Sequence, residues 1–210
     1  MKNKMNYRIG QMTLVGVCLL LLALLVYLRT LYPGLVGDGD TPKFQYVGAI
    51  GGTPHNPGYP LYLVLSGLFA RLPGGNLAWR INLLSAVGAA LFVLLQCRLA
   101  SLLGGGPAVA AAVALAAGFG PVLWSQATLA EVYTLAAALL SAVLVALVGW
   151  GVDQARTERG LLVAVGLFAL ALGHHLTIVF VAPALVLYAL LCDRRAALRP
   201  RLLLGALEAL

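Results

Sequence analysis

The sequence predicts an all-α membrane protein, a polytopic helical bundle of about six transmembrane helices with short interfacial or re-entrant helices in its first outer loop. Three observations carry this. First, 61% of the 210 residues are hydrophobic, only 10% are charged, and the mean hydropathy is +0.95. A soluble domain carries about 25% charged residues, so most of this chain lacks the polar surface to face water. Second, long apolar runs recur, with Gly, Pro or charge at their ends. Third, Lys and Arg fall mainly at alternate connections between these runs. The formal net charge of +7 does not point to nucleic acid, because the basic residues form short clusters between apolar runs and no stripe.

The elements follow in order. Met12–Leu28 is the first apolar run, after a basic start with Lys2, Lys4 and Arg8. A signal peptide would carry an apolar region of about 7–15 residues and a small-residue cleavage site. This run is longer and is followed by LRTLYPG, so residues 11–31 read as a retained span. The first outer loop, residues 32–81, holds GDGDTPKFQYVGAIGGTPHNPGYPLY at 37–62. There Thr41 is expected to N-cap a helix with Pro42 at its first position. That helix would place Phe44, Val47 and Ile50 on one side, in the manner of an interfacial helix. Leu61–Leu72 is too short to cross comfortably and reads as re-entrant or interfacial. Further spans are expected at 82–102, 107–124, 131–150, 159–174 and 176–192, all within one transmembrane domain covering 1–210. The fifth is short enough to be tilted or sheltered by neighbours.

With the N-terminus inside, the inner positions hold Arg98, Arg156, Arg159, Arg194, Arg195, Arg199 and Arg201, and both ends are cytoplasmic. The first outer loop, with Lys43, Arg71 and Arg80, departs from this bias. The topology gathers Asp38, Asp40, His55, Asn56, Arg80, Asn82, Trp124, Gln126, Glu131, Tyr133, His174 and His175 at the outer face. Charged groups near hydrocarbon are costly and usually mark function.

Local chemistry offers a second explanation for each. Turns favour Asp and Gly, Glu131 suits a helix N-terminus, and His174 and His175 suit a helix end. Arg80 suits snorkelling, and Trp124 and Tyr133 suit an aromatic belt. Gly104-Gly105-Gly106 lacks the Lys-Ser or Lys-Thr of a phosphate loop and reads as a helix stop. Cys18, Cys97 and Cys192 have no metal-ligand or disulfide spacing and read as packing residues.

The run DTPKFQYVGAIGGTPHNPGYPLYLVLSGLFARLPGGNLAWRINLLSA resembles the N-terminal signature of the DUF2723 family, a protein O-mannosyltransferase-like group. PVLWSQATLAEVYTL (Pro121–Leu135) and LALGHHLTIVFVAPAL (Leu170–Leu185) fit in the same order, and the resemblance covers roughly residues 33–190. It implies a GT-C-like fold, the N-terminal part of a longer family architecture, and a donor sugar linked to polyprenyl or dolichyl phosphate. It also implies a catalytic acid in the first outer loop, the position Asp40 occupies. The family pattern reads Asp-x-x-Glu. Here Lys43 stands in place of the Glu, which leaves Asp38 as a possible second carboxylate and the question of a divalent metal open.

The expected activity is an inverting transfer to an acceptor hydroxyl on the outer face, with protein O-mannosylation as one case and Asp40 as the base. Arg80, His55 and His175 are candidates to balance the departing phosphate, and Glu131 and Gln126 to orient the acceptor. The substrate-binding candidates are Asp38, His55, Tyr59, Arg80, Asn82, Gln126, Glu131, Tyr133, His174 and His175. The expected partners are the lipid bilayer, a polyprenyl-phosphate sugar and a protein or glycan acceptor, with no nucleic acid. The expected location is a bacterial plasma membrane. The alternatives are a transporter or lipid-binding protein, or a non-catalytic subunit of a membrane complex.

Overall fold

The computed structural model describes residues 2–37, 39–56, 58–153 and 157–199. Asp38, Arg156 and Arg201 lie outside them. The protein is 77% helix, with no strand among the described residues. In chain order the helices are α1 (Lys2–Thr30), α2 (Thr41–Ile50), α3 (Pro60–Phe69), α4 (Leu77–Leu102), α5 (Pro107–Gly118), α6 (Pro121–Ala127), α7 (Tyr133–Val152), α8 (Glu158–Leu172), α9 (Ala182–Cys192) and α10 (Arg194–Ala197). A 3₁₀ turn, Leu176–Val181, precedes α9.

Helix α4 is the hub, packed against α1, α5 and α7. Hydrocarbon gives helices no hydrophobic reason to associate, so close fit must hold them. Small residues supply it. Ala86, Ala89 and Ala90 of α4 meet Ala23 of α1 and Ala110 and Ala114 of α5 in one buried cluster. On the α7 side Gly88 lets the backbones approach, since a Cβ there would stand 3.0 Å from Leu135 N. The outer surface of α1 is apolar, with Leu14, Leu21, Leu22 and Leu25 all exposed. That surface suits contact with lipid.

Three helices are long and apolar enough to cross a membrane: Gly10–Thr30, Leu77–Leu102 and Tyr133–Val152. A fourth crossing follows if α5 and α6, bent by 65°, count as one. The bend falls where Gly118, Gly120 and Pro121 interrupt the apolar run. The buried Tyr27 hydroxyl donates to Gly118 O at 2.6 Å, satisfying a carbonyl at the break. The fifth and sixth expected segments are less regular. Helix α8 has 15 residues, about 22 Å at ~1.5 Å each, against a ~30 Å core. The last segment splits into the 3₁₀ turn and α9, because Pro183 cannot continue an α-helix through the preceding turn. Six full-length crossings are therefore not what the helices themselves display.

Two local expectations change. Asp40, not Thr41, is the N-cap of α2, and its side chain makes no cap bond. The buried face of α2 is Thr41, Phe44, Gln45 and Val47, whereas Ile50 is exposed. Helix α2 is seated on α3 and α4 and so has a protein-facing side. Of the cysteines, Cys97 is buried in the core but Cys18 is exposed.

Candidate active site

The site lies at the end of the bundle where α1 stops and α4 and α7 begin. A buried polar clamp fixes the connection from α1 to α2. Gln45 Nε2 donates to Asn82 Oδ1 (2.9 Å) and to Gly34 O (3.0 Å), and its Oε1 accepts from Val36 N (3.0 Å). Asn82 Nδ2 donates to Tyr32 O at 3.0 Å. Both side chains are fully buried. An unpaired buried amide would cost about 1–3 kcal/mol, so the mutual pairing selects one path for residues 32–37.

That path delivers Asp40 to the first turn of α2. Its carbonyl accepts from Lys43 N and Phe44 N. Its half-exposed carboxylate faces the Lys43 ammonium, Nζ at 3.3 Å, and the His55 ring, Nδ1 at 3.8 Å. The other ring nitrogen of His55 lies 3.3 Å from the Tyr59 hydroxyl. A neutral His55 with its proton on Nδ1 points that proton toward Asp40 and accepts from Tyr59.

Tyr59 occupies a sharp corner. Gly58 (φ 95°) and Tyr59 (φ 48°) are both left-handed, and Pro60 then starts α3. Tyr59 is the one non-glycine with positive φ among the described residues. Such strain persists where surroundings hold it, and it clusters at functional sites. The Tyr59 ring packs against Phe44, His55 and His175. Burial pushes its hydroxyl above the ordinary tyrosine value, and neighbouring Tyr133, Asp40 and Glu131 push the same way.

Glu131 arrives from the connection between α6 and α7. Ser85 pins its backbone twice at 3.0 Å, donating to Glu131 O and accepting from Glu131 N. Its carboxylate accepts from the Thr41 hydroxyl at 2.5 Å. Burial raises the carboxyl above the usual glutamate range. The Thr41 bond opposes that rise, the Asp40 charge adds to it, and His55 lowers it. The two carboxylates thus share one electrostatic neighbourhood.

The turn after α8 closes the group. Buried His174 donates from Nε2 to Val132 O at 2.8 Å, which holds the residue next to Glu131. Its Nδ1 is buried without a partner, and burial lowers the ring's pKa to about 4. His175 is bonded through Nδ1 to the Thr177 hydroxyl at 2.7 Å and lies between the rings of Tyr59 and Tyr133. Burial lowers its pKa as well.

The family described as the protein O-mannosyl-transferase TMEM260 N-terminal domain matches residues 40–197. The chain belongs to this family. The match begins at Asp40 and runs through Glu131, His174 and His175. A curated relative, mouse protein O-mannosyl-transferase TMEM260, is 32% identical over 155 residues, which cover 70% of this chain and 21% of the mouse protein. The chain therefore aligns with about a fifth of that relative's length. No solved structure matches it.

Within this TMEM260 N-terminal domain, Asp40, His55, Tyr59, Glu131, Tyr133 and His175 come together, with His174 behind them. The other sequence candidates are placed elsewhere. Arg80 Nη1 donates to Leu72 O at 2.8 Å, folding the guanidinium onto its own connection. Asn82 is used up in the buried clamp. Gln126 holds its Oε1 buried and unpartnered on α6. Trp124 donates to the Thr30 hydroxyl and packs on Tyr27 and Phe119, outside the group.

Sequence reasoning passed over Thr41 as a partner of Glu131, and Gln45 and Ser85 altogether. The available signal was a set of lone polar residues on otherwise apolar helices. Among the described residues, no group of three or more His, Cys, Asp or Glu could hold a metal ion. The Lys43 ammonium stands beside Asp40, and Asp38 lies outside the described residues.

Proposed function

We propose that this domain carries the base-bearing part of a membrane glycosyltransferase of GT-C type. In this reading it moves a sugar from a polyprenyl or dolichyl phosphate to an acceptor hydroxyl, with mannose on protein as the leading case. The carrying observation is the convergence of Asp40, His55, Tyr59, Glu131, Tyr133 and His175 at one end of a membrane bundle, in a family named for O-mannosyl transfer. That end is read as the outer face of a bacterial plasma membrane, with both termini cytoplasmic. The two shorter segments complete six crossings by tilting or by shelter from α7.

The acceptor oxygen attacks the anomeric carbon as the bond from that carbon to the phosphate oxygen breaks. The bonding pair leaves with the lipid phosphate, and the hydroxyl proton passes to Asp40. One displacement inverts the anomeric centre. The half-exposed Asp40 carboxylate is accessible to an incoming hydroxyl. Lys43 and His55, both within 4 Å of the Asp40 carboxylate, are the candidates to balance charge on the departing phosphate. Glu131, Tyr133 and His175 form the acceptor side, and His174 supports them through Val132.

The test is sugar transfer by the protein reconstituted with polyprenyl-phosphate mannose and hydroxyl acceptors, beside Asp40→Asn. Loss of transfer in the variant, with folding intact, is expected. Equal transfer by both proteins would remove Asp40 as the base. No transfer by the intact protein would favour a lipid-binding or non-catalytic role.

A further inference from the structure

A second polar feature lies at the opposite end of the bundle. A cleft of about 220 Å³ is lined by Gln11 and Met12 of α1, Arg98 and Ser101 of α4, and the Gly104–Pro107 connection to α5. From Asn82 to Ser101, α4 rises about 28 Å at ~1.5 Å per residue, close to the thickness of a hydrocarbon core. The cleft therefore sits at headgroup depth when the Asp40 group sits at the other surface.

Its chemistry is one-sided. No acidic residue lines the cleft. Arg98 is exposed and makes no hydrogen bond or ion pair among the described residues. Gln11 and Ser101 add an amide and a hydroxyl. The glycines leave the wall free of side chains, so a ligand can approach the backbone closely. The two flanking helices turn apolar side chains outward within two turns of the cleft: Leu14 and Val17 on α1, Val109 and Val113 on α5.

We propose that this cleft seats the phosphate of an anionic phospholipid, with the acyl chains lying along α1 and α5. A guanidinium matches phosphate geometry in two parallel hydrogen bonds. The amide and hydroxyl supply neutral donors. The adjoining apolar surface selects a lipid over a soluble phosphate. The site takes no part in sugar transfer and stands or falls apart from it.

The experiment is native mass spectrometry of the full chain released from phosphatidylcholine vesicles with and without phosphatidylglycerol. Wild type should retain phosphatidylglycerol in preference to phosphatidylcholine. Arg98→Gln should retain about fivefold less, the loss expected for one basic contact at a membrane surface. Arg159→Gln removes the same charge from the same end of the bundle and should retain the wild-type amount. Equal loss in both variants would reduce the effect to general surface charge and overturn the site. Unchanged retention in Arg98→Gln would overturn it as well. Displacement of the lipid by inorganic phosphate would make the cleft a free-anion site and overturn the lipid assignment. Thermal unfolding of each variant confirms that the fold is intact.

Discussion

The Thr41 hydroxyl donates to Glu131 Oε1 at 2.5 Å, joining residues 90 positions apart in the chain. One belongs to the first turn of α2 and the other to the connection before α7. The bond therefore registers two segments whose alignment decides how far apart the two carboxylates stand.

Glu131→Gln tests what that carboxylate does. Its pKa is raised on folding, so its ionisation costs stability. Stability is full below the unfolded value of 4.5 and is lost as pH rises through the folded value. The Gln variant should thus gain in melting temperature relative to wild type as pH rises from 4 to 7. Transfer should fall by about 10²-fold, as misplacement of an acceptor allows. A variant that loses stability at pH 7 and keeps its activity would contradict both roles.

Lys43 and Arg80 should separate cleanly in steady-state kinetics. Lys43→Ala removes the ammonium beside Asp40 and should cost about tenfold or more in kcat/KM for the lipid-phosphate donor. Arg80→Ala loses a bond to Leu72 O and should cost about 1 kcal/mol of stability with transfer little changed. The reverse ranking would return Arg80 to the phosphate.

His174 predicts an acid sensitivity. Its folded pKa is about 4 against 6.5 when unfolded. The folded state therefore binds fewer protons, and stability present above pH 6.5 is lost as pH falls toward 4. The loss is on the order of 3 kcal/mol. His174→Asn should flatten this dependence in thermal melts of the detergent-solubilised protein. An equal slope in wild type and variant would assign the sensitivity elsewhere.

Gly48→Ala should unseat α2. A Cβ there would fall within 3 Å of Ser66 Oγ, Ser66 Cβ and Gly67 N on α3. Separation of the two helices should cost about 1–3 kcal/mol and lower transfer, because Asp40 rides on α2. Unaltered unfolding would mean that the pair yields without strain.

Three of the expected apolar spans were legible because length and composition alone set them. Helices α1, α4 and α7 follow from apolar runs long enough to cross a bilayer. The grouping of the candidate residues was legible at coarser grain. Alternation of basic connections gathers Asp40, His55, Glu131, His174 and His175 at one end, and the structure brings them together. Side-chain direction was not legible. Arg80 and Asn82 stand two positions apart on α4, yet one turns to Leu72 O and the other into a buried amide pair. Those choices depend on partners from the α1–α2 connection, α2 and the 70–76 connection, which no local pattern reveals. The shift of the α2 cap from Thr41 to Asp40 has the same origin. Glu131, remote in sequence, engages the hydroxyl that would otherwise cap the helix.

The Tyr27 hydroxyl on Gly118 O bears on mechanics. Breaking the α5–α6 run frees a carbonyl in an apolar setting, and a side chain from α1 engages it. Swinging α6 away from α1 would strand that carbonyl, so the bond opposes opening of the 65° elbow. That bond ties the first helix to the elbow.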